Sequence, residues 1–403
     1  MIYRLFFFLS ILFASVCVQA DDAEIIDLHK SLVSIQSTTK TGDSQTDERN
    51  VQTFIEKWLR ETAEKNNFRI NIERQQVTEG RDNLYVYAGA ATERSTSVMM
   101  TSHVDTVPPH FGYRVEGDKI YGRGTNDAKG CVAAMMIAFR DLIVSKQVKE
   151  EGGELSLLFV VGEEIGGEGM TEVPKLGLTW DTVIFGEPTD SKLASGQIGG
   201  MVFNITALGK TVHSGFPELG INAIDGLRAI MDALHLALDG LDSNPNYGQN
   251  SLTIAQIRGG VADNAVPPSA WVSGSYRLTV SPSKVVEKLG RLINEKACPS
   301  DPDNPCKSVE VKYPLQEDPL DIDHDVPGFE TFGARFGSDI SVLKGKHHKY
   351  LFGPGSILTA HQPDEFVTKQ ELVRAVDGYK KIVLFRLQAG KNVSAAVDHR
   401  IQG

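Results

Sequence analysis

The chain has 403 residues, of which 41% are hydrophobic and 23% are charged, with 38 glycines and 17 prolines. This is the composition of a globular protein and excludes collagen, coiled-coil and wholly disordered chains. The 52 acidic residues outnumber the 41 basic ones, and the formal net charge is −11. That sign argues against a nucleic acid or an anionic lipid as the partner. The length suits about two domains, with a core large enough for an enzyme.

The first 20 residues have the pattern of a secretory signal. Arg4 precedes an apolar run from Leu5 to Val18, and the small residue Ala20 follows. The run is too short to span a bilayer and ends in a cleavage-site pattern. We therefore predict that residues 1–20 are a signal peptide and that the mature protein is secreted without a membrane anchor. A signal anchor is the alternative interpretation.

The cysteines and sequons agree with an oxidising compartment. Cys298 and Cys306 bracket the short loop CPSDPDNPC, which a disulfide would close. Cys131 lies in the apolar stretch CVAAMMIAF, where we predict a buried, inert thiol. Asn204 and Asn392 begin N-glycosylation sequons, which can be used if the chain is secreted.

The elements of the first half predict an α/β fold. Two helices are expected between residues 23 and 64, followed by strands at 69–73, 83–88 and 97–101. A helix is expected over 127–145 with Asp127 as its N-cap, and the apolar runs 155–161 and 182–185 predict two more buried strands. This alternation of strands and helices is typical of a mostly parallel sheet.

The pattern changes after Gly200. Strands and helices follow in the order β-α-β-β-α at residues 202–208, 222–238, 252–258, 270–279 and 282–297, with a last strand at 308–311. This order indicates a compact α+β unit inserted into the first domain. A closing helix at 368–388 would return to that domain. The predicted boundaries are 21–199 for its first part, 200–313 for the insertion and 314–403 for its second part.

Ionisable residues directly follow three of the predicted buried strands. In open α/β sheets, ligands bind at the carboxyl ends of the strands. Carboxylates clustered there raise each other's pKa unless a cation compensates their charge, so the pattern predicts a shared metal site rather than isolated surface acids. Asp127 would join from a fourth segment. The residues that follow strands are His103, Asp105, Glu163, Glu164 and Glu187.

The spacing of these residues suggests a division of roles. His103 and Asp105 share one face of an extended segment, so one can bind a metal while the other orients it. Glu163 and Glu164 are neighbours, and in extended backbone one could be a ligand while the other faces the reaction. Mixed histidine and carboxylate ligands without a thiolate suit zinc, and cobalt or manganese would also fit.

Four segments, SHVDTVPP, GRGTNDAKG, VGEEIGGEG and FGEPTD, resemble in order and spacing the dizinc M20 metallopeptidases and amidohydrolases. That family includes acetylornithine deacetylase, succinyl-diaminopimelate desuccinylase, aminoacylase and several carboxypeptidases. The resemblance implies an α/β, mostly parallel-sheet catalytic domain with two Zn²⁺ per subunit. It also implies that the insertion is a ferredoxin-like α+β lid and dimerisation domain, which allows a homodimer.

The resemblance also assigns roles to residues. It makes Glu163 the general base and Asp105 the support of His103, while TAHQPDEFV provides the last ligand, His361. The pair His347 and His348 is the competing choice for that ligand, interpreted instead as a solvated turn. The implied ligands are His103 and Glu187 for one zinc, Glu164 for the other, Asp127 as the bridge, and His361 as the last ligand.

Three further motifs resemble the substrate-binding parts of the family. TVHSGFPELGINAI makes His213 the oxyanion donor, which in dimeric relatives comes from the other subunit. Asn264, in GGVADNAVP, would bind near the scissile carbonyl, and Arg277 would clamp a substrate carboxylate. Many relatives have Asp two residues before that arginine, where this chain has Ser275. Gly355 is expected in a substrate-facing loop.

These features predict a secreted zinc carboxypeptidase that removes the C-terminal amino acid from short peptides by means of a metal-activated water. An N-acyl-amino-acid deacylase, resembling acetylornithine deacetylase or aminoacylase, is the nearest alternative. A non-catalytic binding homologue is a third interpretation, which the complete inventory of ligands and base disfavours. The expected substrates are accordingly a small peptide or an N-acyl amino acid.

Overall fold

The computed structural model describes residues 22–39, 48–298 and 306–401, and beyond residue 391 it describes the backbone alone. The predicted signal peptide lies outside these residues. The chain forms two compact units. The first unit contains the described residues up to Ala194, the segment Ile322–Thr331 and the residues from Ser338 onward. The second unit contains Ser195–Asp321 and Phe332–Gly337.

Helices and strands are numbered in chain order. The first unit contains the helices α1 (residues 22–34), α2 (Arg49–Asn66), α3 (Lys129–Val144), α4 (Glu168–Glu172) and α7 (Lys369–Ile401). Its strands are β1 (Ile70–Thr78), β2 (Arg81–Ala88), β3 (Thr96–His103), β4 (Arg114–Glu116), β5 (Lys119–Tyr121), β6 (Leu155–Val160), β7 (Trp180–Gly186), β15 (His348–Phe352) and β16 (Phe366–Thr368). Short 3-10 helices span Glu163–Ile165, Val173–Leu176 and Asp339–Ser341.

A six-stranded sheet in the order β1-β2-β6-β3-β7-β15 forms the centre of the first unit. The strands β6, β3, β7 and β15 are parallel, whereas β2 is antiparallel to β6 and β1 is antiparallel to β2. Every residue of β6 is buried, and the apolar part of β3 is buried as well. The expected mostly parallel sheet is therefore confirmed. Helix α3, which is buried almost along its whole length, packs in the same core.

The structure differs from the predictions at four places in this unit. Asp127 is not an N-cap, because α3 begins at Lys129 after Ala128 and has no side-chain cap; the Asp127 carboxylate instead faces two histidines. The backbone at Glu163 and Glu164 is a 3-10 turn, not an extended segment. Strand β15 was not predicted; its short apolar run follows a polar stretch and is stabilised by parallel pairing with β7. The last helix continues to Ile401, past its predicted end.

The second unit is the predicted α+β arrangement. Its strands are β8 (Leu193–Gln197, which begins in the first unit), β9 (Gly199–Leu208), β10 (Ser251–Gly259), β11 (Ser269–Leu278), β12 (Val309–Glu317), β13 (Leu320–Asp321) and β14 (Thr331–Ala334). Its helices are α5 (Ala223–Leu236) and α6 (Pro282–Ala297), with a 3-10 turn at Pro217–Leu219.

An antiparallel sheet in the order β10-β11-β9-β12 forms the core of the second unit with α5 and α6. Alternate residues of β9, including Phe203 and Ile205, are buried with Leu227 of α5 and Leu289 of α6. The other face of β9 is therefore left without these helices. A small sheet in the order β13-β8-β14 completes the strands.

The cysteine predictions are confirmed. Cys298 and Cys306 form a disulfide, and Cys131 is a buried free cysteine. Burial raises the pKa of the Cys131 thiol, which keeps it protonated at neutral pH. Within the described part of the chain, no helix combines the length and apolar character that a membrane crossing requires.

Candidate metal centre

The sheet order brings the predicted acidic and histidine residues to one edge. The strands β6, β3 and β7 are adjacent and parallel, so their carboxyl ends lie side by side. His103 is the last residue of β3, Glu163 begins the turn after β6, and Glu187 directly follows β7. Asp127 reaches the same edge from the loop before α3, because its carboxylate contacts His103.

Asp127 lies between two histidines. Its Oδ1 is 3.1 Å from Nε2 of His103, and its Oδ2 is 3.1 Å from Nε2 of His361. The Asp127 side chain is 6% exposed, so its carboxylate is largely shielded from solvent. Each carboxylate oxygen therefore faces a different histidine, which is the arrangement that a bridging ligand needs.

Two further carboxylates complete the set on either side of Asp127. Glu187 Oε1 is 3.9 Å from Nε2 of His103, and Glu164 Oε2 is 3.0 Å from Nε2 of His361. The cluster thus divides into His103 with Glu187 and His361 with Glu164, and Asp127 contacts both histidines. The resemblance implies His103 with Glu187 for one ion and Glu164 for the other, and the structure adds that His361 lies beside Glu164.

The spacing and chemistry of these atoms fit divalent metals. Ligand atoms of His103, Asp127 and Glu164 all lie within 4.8 Å of one another. Two ligand atoms at the usual 2.0–2.2 Å from a tetrahedral zinc are about 3.3 Å apart, close to the contacts seen here. Imidazole nitrogens and carboxylate oxygens suit zinc, cobalt and manganese.

The pKa shifts in the cluster show uncompensated negative charge. Burial raises the pKa of Glu187 well above its usual value, against the opposing effect of His103. Burial and the nearby Asp127 raise the pKa of Glu164 to about 7. Hydrogen bonds to Asp127 and Glu164 raise the pKa of His361 to about 10. A divalent cation would stabilise the ionised carboxylates and the neutral histidines, which are the forms that ligate metals.

Glu163 lies in surroundings that make its carboxyl group less acidic. Burial raises its pKa well above the usual value; His103 lowers it, whereas Asp339 and Glu164 raise it further. Like Glu187, it contributes no atom to the compact group formed by His103, Asp127 and Glu164. A carboxylate with a raised pKa can both accept and return a proton near neutral pH.

Asp105 supports two parts of the cluster. Its Oδ1 lies 3.4 Å from Nδ1 of His103, and that nitrogen also contacts the Asp105 carbonyl oxygen at 3.1 Å. A proton on Nδ1 leaves Nε2 of His103 to bind a metal. The carboxylate also accepts backbone hydrogen bonds from Glu163 and Glu164, a role that the sequence analysis did not anticipate.

Of the two candidates for the late histidine, His361 is the one in the cluster. His361 has a φ of 63°, which is uncommon for a residue other than glycine and places its ring against Asp127 and Glu164. His348 instead begins β15, so it lies at the amino ends of the parallel strands, away from the cluster at their carboxyl ends. Its Nδ1 lies 3.2 Å from Asp323. His347 precedes it and is half-buried.

The other predicted substrate residues are distributed between the two units. His213, Asn264 and Arg277 belong to the second unit, where all three are exposed. Gly355 belongs to the first unit, where it is buried with a φ of 74°. A Cβ there would lie 1.9 Å from Oδ1 of Asn126, so close packing already requires this glycine.

Two buried ion pairs beside the cluster were not predicted. Arg123 pairs with Glu365, and Arg81 pairs with Glu48. Arg123 and Glu365 lie inside two of the motif segments, GRGTNDAKG and TAHQPDEFV. Their position beside candidate ligands is the sequence feature that could have identified them. Their side chains were not assigned because no local pattern indicates that the two segments meet.

The fold and the cluster together define a metal-dependent hydrolase, because histidines and carboxylates converge at the ligand-binding edge of a mostly parallel sheet. The sequence model of the family described as Peptidase family M20/M25/M40 matches residues 99–384 of this chain. The chain therefore belongs to this family.

Similar proteins agree with this membership. A peptidase M20 domain-containing protein of Schizosaccharomyces pombe is 38% identical over 369 residues, which cover 90% of this chain and 85% of that protein. A probable carboxypeptidase of Ajellomyces dermatitidis is 35% identical over 395 residues, covering 90% and 87%. The structure of a Bacillus subtilis protein described as a dinuclear metal-binding peptidase of family M20 superposes with a TM-score of 0.67 at 15% identity, covering 92% of this chain and 99% of that one.

Proposed function

We propose that this M20 hydrolase is a secreted carboxypeptidase that removes the C-terminal amino acid from short peptides with two bound zinc ions. The observation that carries the proposal is the position of Asp127 between His103 and His361, each with a further carboxylate beside it. Relatives at 35% identity that are named probable carboxypeptidases support the peptidase reaction. Cobalt or manganese could occupy the same ligands.

His103 and Glu187 would hold one ion, His361 and Glu164 the other, and Asp127 would bridge them. Ions bound in this way acidify a water molecule and polarise the scissile carbonyl. Glu163 would accept the proton of that water at its carboxylate and then donate it to the leaving amine, which its raised pKa makes favourable. Asp105 would keep both the ring of His103 and the backbone of Glu163 in place.

Substrate recognition would use residues of the second unit, which we propose as the lid and dimerisation domain expected at residues 200–313. His213 is proposed as the oxyanion donor, Asn264 as a contact near the scissile carbonyl, and Arg277 as the partner of the substrate carboxylate. Arg277 is exposed on β11, where it pairs across the sheet with Gly200 of β9. A guanidinium is suited to bidentate carboxylate binding.

A homodimer is part of the proposal. Large apolar side chains near His213 are exposed, including Phe216 (59%), Leu219 (61%) and Ile221 (57%). A group of exposed apolar side chains is typical of an interaction surface. In dimeric relatives this histidine comes from the other subunit, so we propose that His213 would serve the partner subunit's site.

Secretion is proposed from the signal-like first 20 residues and is supported by the Cys298–Cys306 disulfide. The sequons at Asn204 and Asn392 would then be available for glycosylation. Asn204 lies on β9 between β11 and β12, and Asn392 lies in α7. Mass spectrometry of protein recovered from culture medium, before and after glycosidase treatment, tests both the cleavage site and the sequons.

The substrate class is tested with matched compounds. Purified, metal-loaded protein is assayed with dipeptides, with the same dipeptides amidated at the C-terminus, and with the corresponding N-acetyl amino acids. A carboxypeptidase hydrolyses the free dipeptides and loses activity when the terminal carboxylate is amidated. Hydrolysis of the N-acetyl amino acids alone would establish the deacylase alternative instead. Metal binding without hydrolysis of any of the three would indicate the non-catalytic homologue.

A further inference from the structure

A buried ion pair connects the two loops that carry Asp127 and His361. Arg123 is 2% exposed and Glu365 is 0% exposed, and the guanidinium Nη1 donates to Glu365 Oε2. Neither side chain is among the residues assigned above to hold metal or to contact substrate. A buried charge pair is costly to desolvate, so its place beside the metal cluster requires a reason.

Glu365 holds the loop of Asp127 through its other oxygen. Its Oε1 accepts hydrogen bonds from the backbone N–H of Asn126 at 3.0 Å and of Asp127 at 3.2 Å. Both N–H groups are buried, so loss of this acceptor leaves them unsatisfied. The backbone of the bridging ligand is thus fixed by a carboxylate from the segment that carries His361.

Arg123 holds the loop of His361 in return. Its Nη2 lies 3.4 Å from the carbonyl oxygen of His361, and its Nε donates to the carbonyl oxygen of Pro109 at 3.3 Å. The guanidinium also lies over the ring of Phe111, 5.1 Å from the centroid. Because His361 has a positive φ, this contact helps to stabilise a backbone conformation that histidine rarely adopts.

We propose that Arg123 and Glu365 are positioning residues that hold Asp127 and His361 in the geometry required to bind metal. The inference rests on the proposed metal centre and adds a reason for its preorganisation. Residues that orient metal ligands typically change metal affinity or activity by about 10–100-fold when they are replaced. Loss of the pair is therefore expected to weaken metal binding.

The first test is Glu365→Gln in the full chain, because glutamine keeps the size of the side chain but has only one acceptor oxygen. That oxygen cannot serve both Arg123 and the backbone N–H groups of Asn126 and Asp127. Zn²⁺ dissociation constants are measured by competition with a chelator, and the visible absorption of the Co²⁺-loaded protein reports ligand geometry. We expect about 10–100-fold weaker binding and an altered Co²⁺ spectrum.

The matched control is Glu24→Gln, which removes a partner of the buried Arg140 in the same unit, away from the cluster. It should leave both metal readouts unchanged. The double variant Arg123→Met/Glu365→Met covers the case in which Glu365→Gln does not fold, because it leaves no unpaired buried charge. It should fold and still bind metal weakly, since it lacks the backbone acceptor.

Two results separate the inference from the proposed function. If a folded Glu365→Gln or double variant binds Zn²⁺ as tightly as the wild type and with the same Co²⁺ spectrum, the positioning role is wrong and the metal centre stands. If the wild-type protein itself binds no divalent metal in the chelator competition, the proposed metal centre fails, and the inference fails with it.

Discussion

Asp105 Oδ2 accepts a hydrogen bond of 3.0 Å from the backbone N–H of Glu164. Its Oδ1 accepts another, of 3.2 Å, from the N–H of Glu163 and lies 3.4 Å from Nδ1 of His103. One fully buried carboxylate therefore fixes the turn that carries the proposed base and one ligand, and it also orients a second ligand. The supporting residue is as much a part of the metal centre's geometry as the ligands are.

The dual role of Asp105 predicts a large effect of Asp105→Asn. The amide has one acceptor oxygen, so it cannot accept from both Glu163 and Glu164 and still face His103 as a carboxylate does. We expect about a 10–100-fold loss of activity or of zinc affinity. Chelator competition and kcat measured at saturating metal distinguish the two effects. Wild-type values of both zinc affinity and kcat would mean that the contacts of the Asp105 carboxylate contribute to neither.

The base is tested with Glu163→Gln. Since Glu163 is proposed to act as the base and not as a ligand, metal should remain bound. Removal of a general base lowers kcat by about 10²–10⁴-fold. Metal content by elemental analysis and kcat on a dipeptide are measured on the same preparation. Full turnover in this variant would require another residue to accept the proton.

The second buried ion pair predicts an effect on stability. Arg81 donates to Glu48 at 2.6 and 2.8 Å, and Glu48 also accepts from the N–H of Gly162, just before the proposed base. Glu48→Gln leaves the buried Arg81 with only the half-exposed Glu168 as an ionised partner, so it should lower the free energy of unfolding by about 3 kcal/mol. Urea denaturation measures it. The exposed pair Lys57–Glu61 provides the control, because Glu61→Gln should have little effect.

His29 predicts a loss of stability in mild acid. Burial, together with the charge of Lys129, lowers its pKa to about 4, against a hydrogen bond to the carbonyl of Thr125 that raises it. In the unfolded chain its pKa is 6.5, so protonation favours unfolding between these two values. When the pH is lowered from about 7 to about 5, protonation of His29 in the unfolded chain should reduce the free energy of unfolding by about 2 kcal/mol.

The comparison that isolates His29 is the His29→Gln variant, in which glutamine cannot gain a proton. Urea denaturation of both proteins at the two pH values should show a smaller pH dependence for the variant. If the free energies of unfolding of the wild type and the variant change equally with pH, His29 is not buried in its neutral form. The sign is fixed because the folded-state pKa lies below that of the unfolded chain, so stability falls as the pH is lowered.

The exposed apolar surface near His213 predicts the oligomeric state. Phe216→Asp should weaken a dimer formed through this surface, because a carboxylate would be buried against the partner. Analytical ultracentrifugation over a range of concentrations measures the shift from dimer to monomer. Leu358→Asp serves as the control, since Leu358 is 77% exposed in the first unit. A wild-type protein that remains monomeric at all concentrations would contradict the proposed dimer.

Much of the fold could be predicted because the signals are local. The buried strands β3 and β6 are continuous apolar runs, α6 has the predicted bounds, and the alternation in β9 matches its burial. The types of residue at the candidate site could also be predicted, since His103, Glu163 and Glu187 come at or directly after the ends of such strands. The position after a strand depends only on neighbouring residues.

Where side chains point was less predictable. Asp127 was expected to cap a helix and Glu163 to lie in extended backbone, and both predictions were wrong because long-range contacts outweigh local preference at these positions. The parallel strand β15 has too short an apolar run to be recognised without β7 beside it. These differences occur where the backbone is held by partners distant in the sequence.

The sequence by itself determined the family, the mostly parallel α/β class and the set of residues available as metal ligands. Only the tertiary structure decided that β6, β3 and β7 are adjacent, that Asp127 lies between His103 and His361, and that Arg123 pairs with Glu365. The physical reason is that periodicity and composition report the surroundings of each segment, whereas strand order and buried ion pairs depend on how distant segments pack.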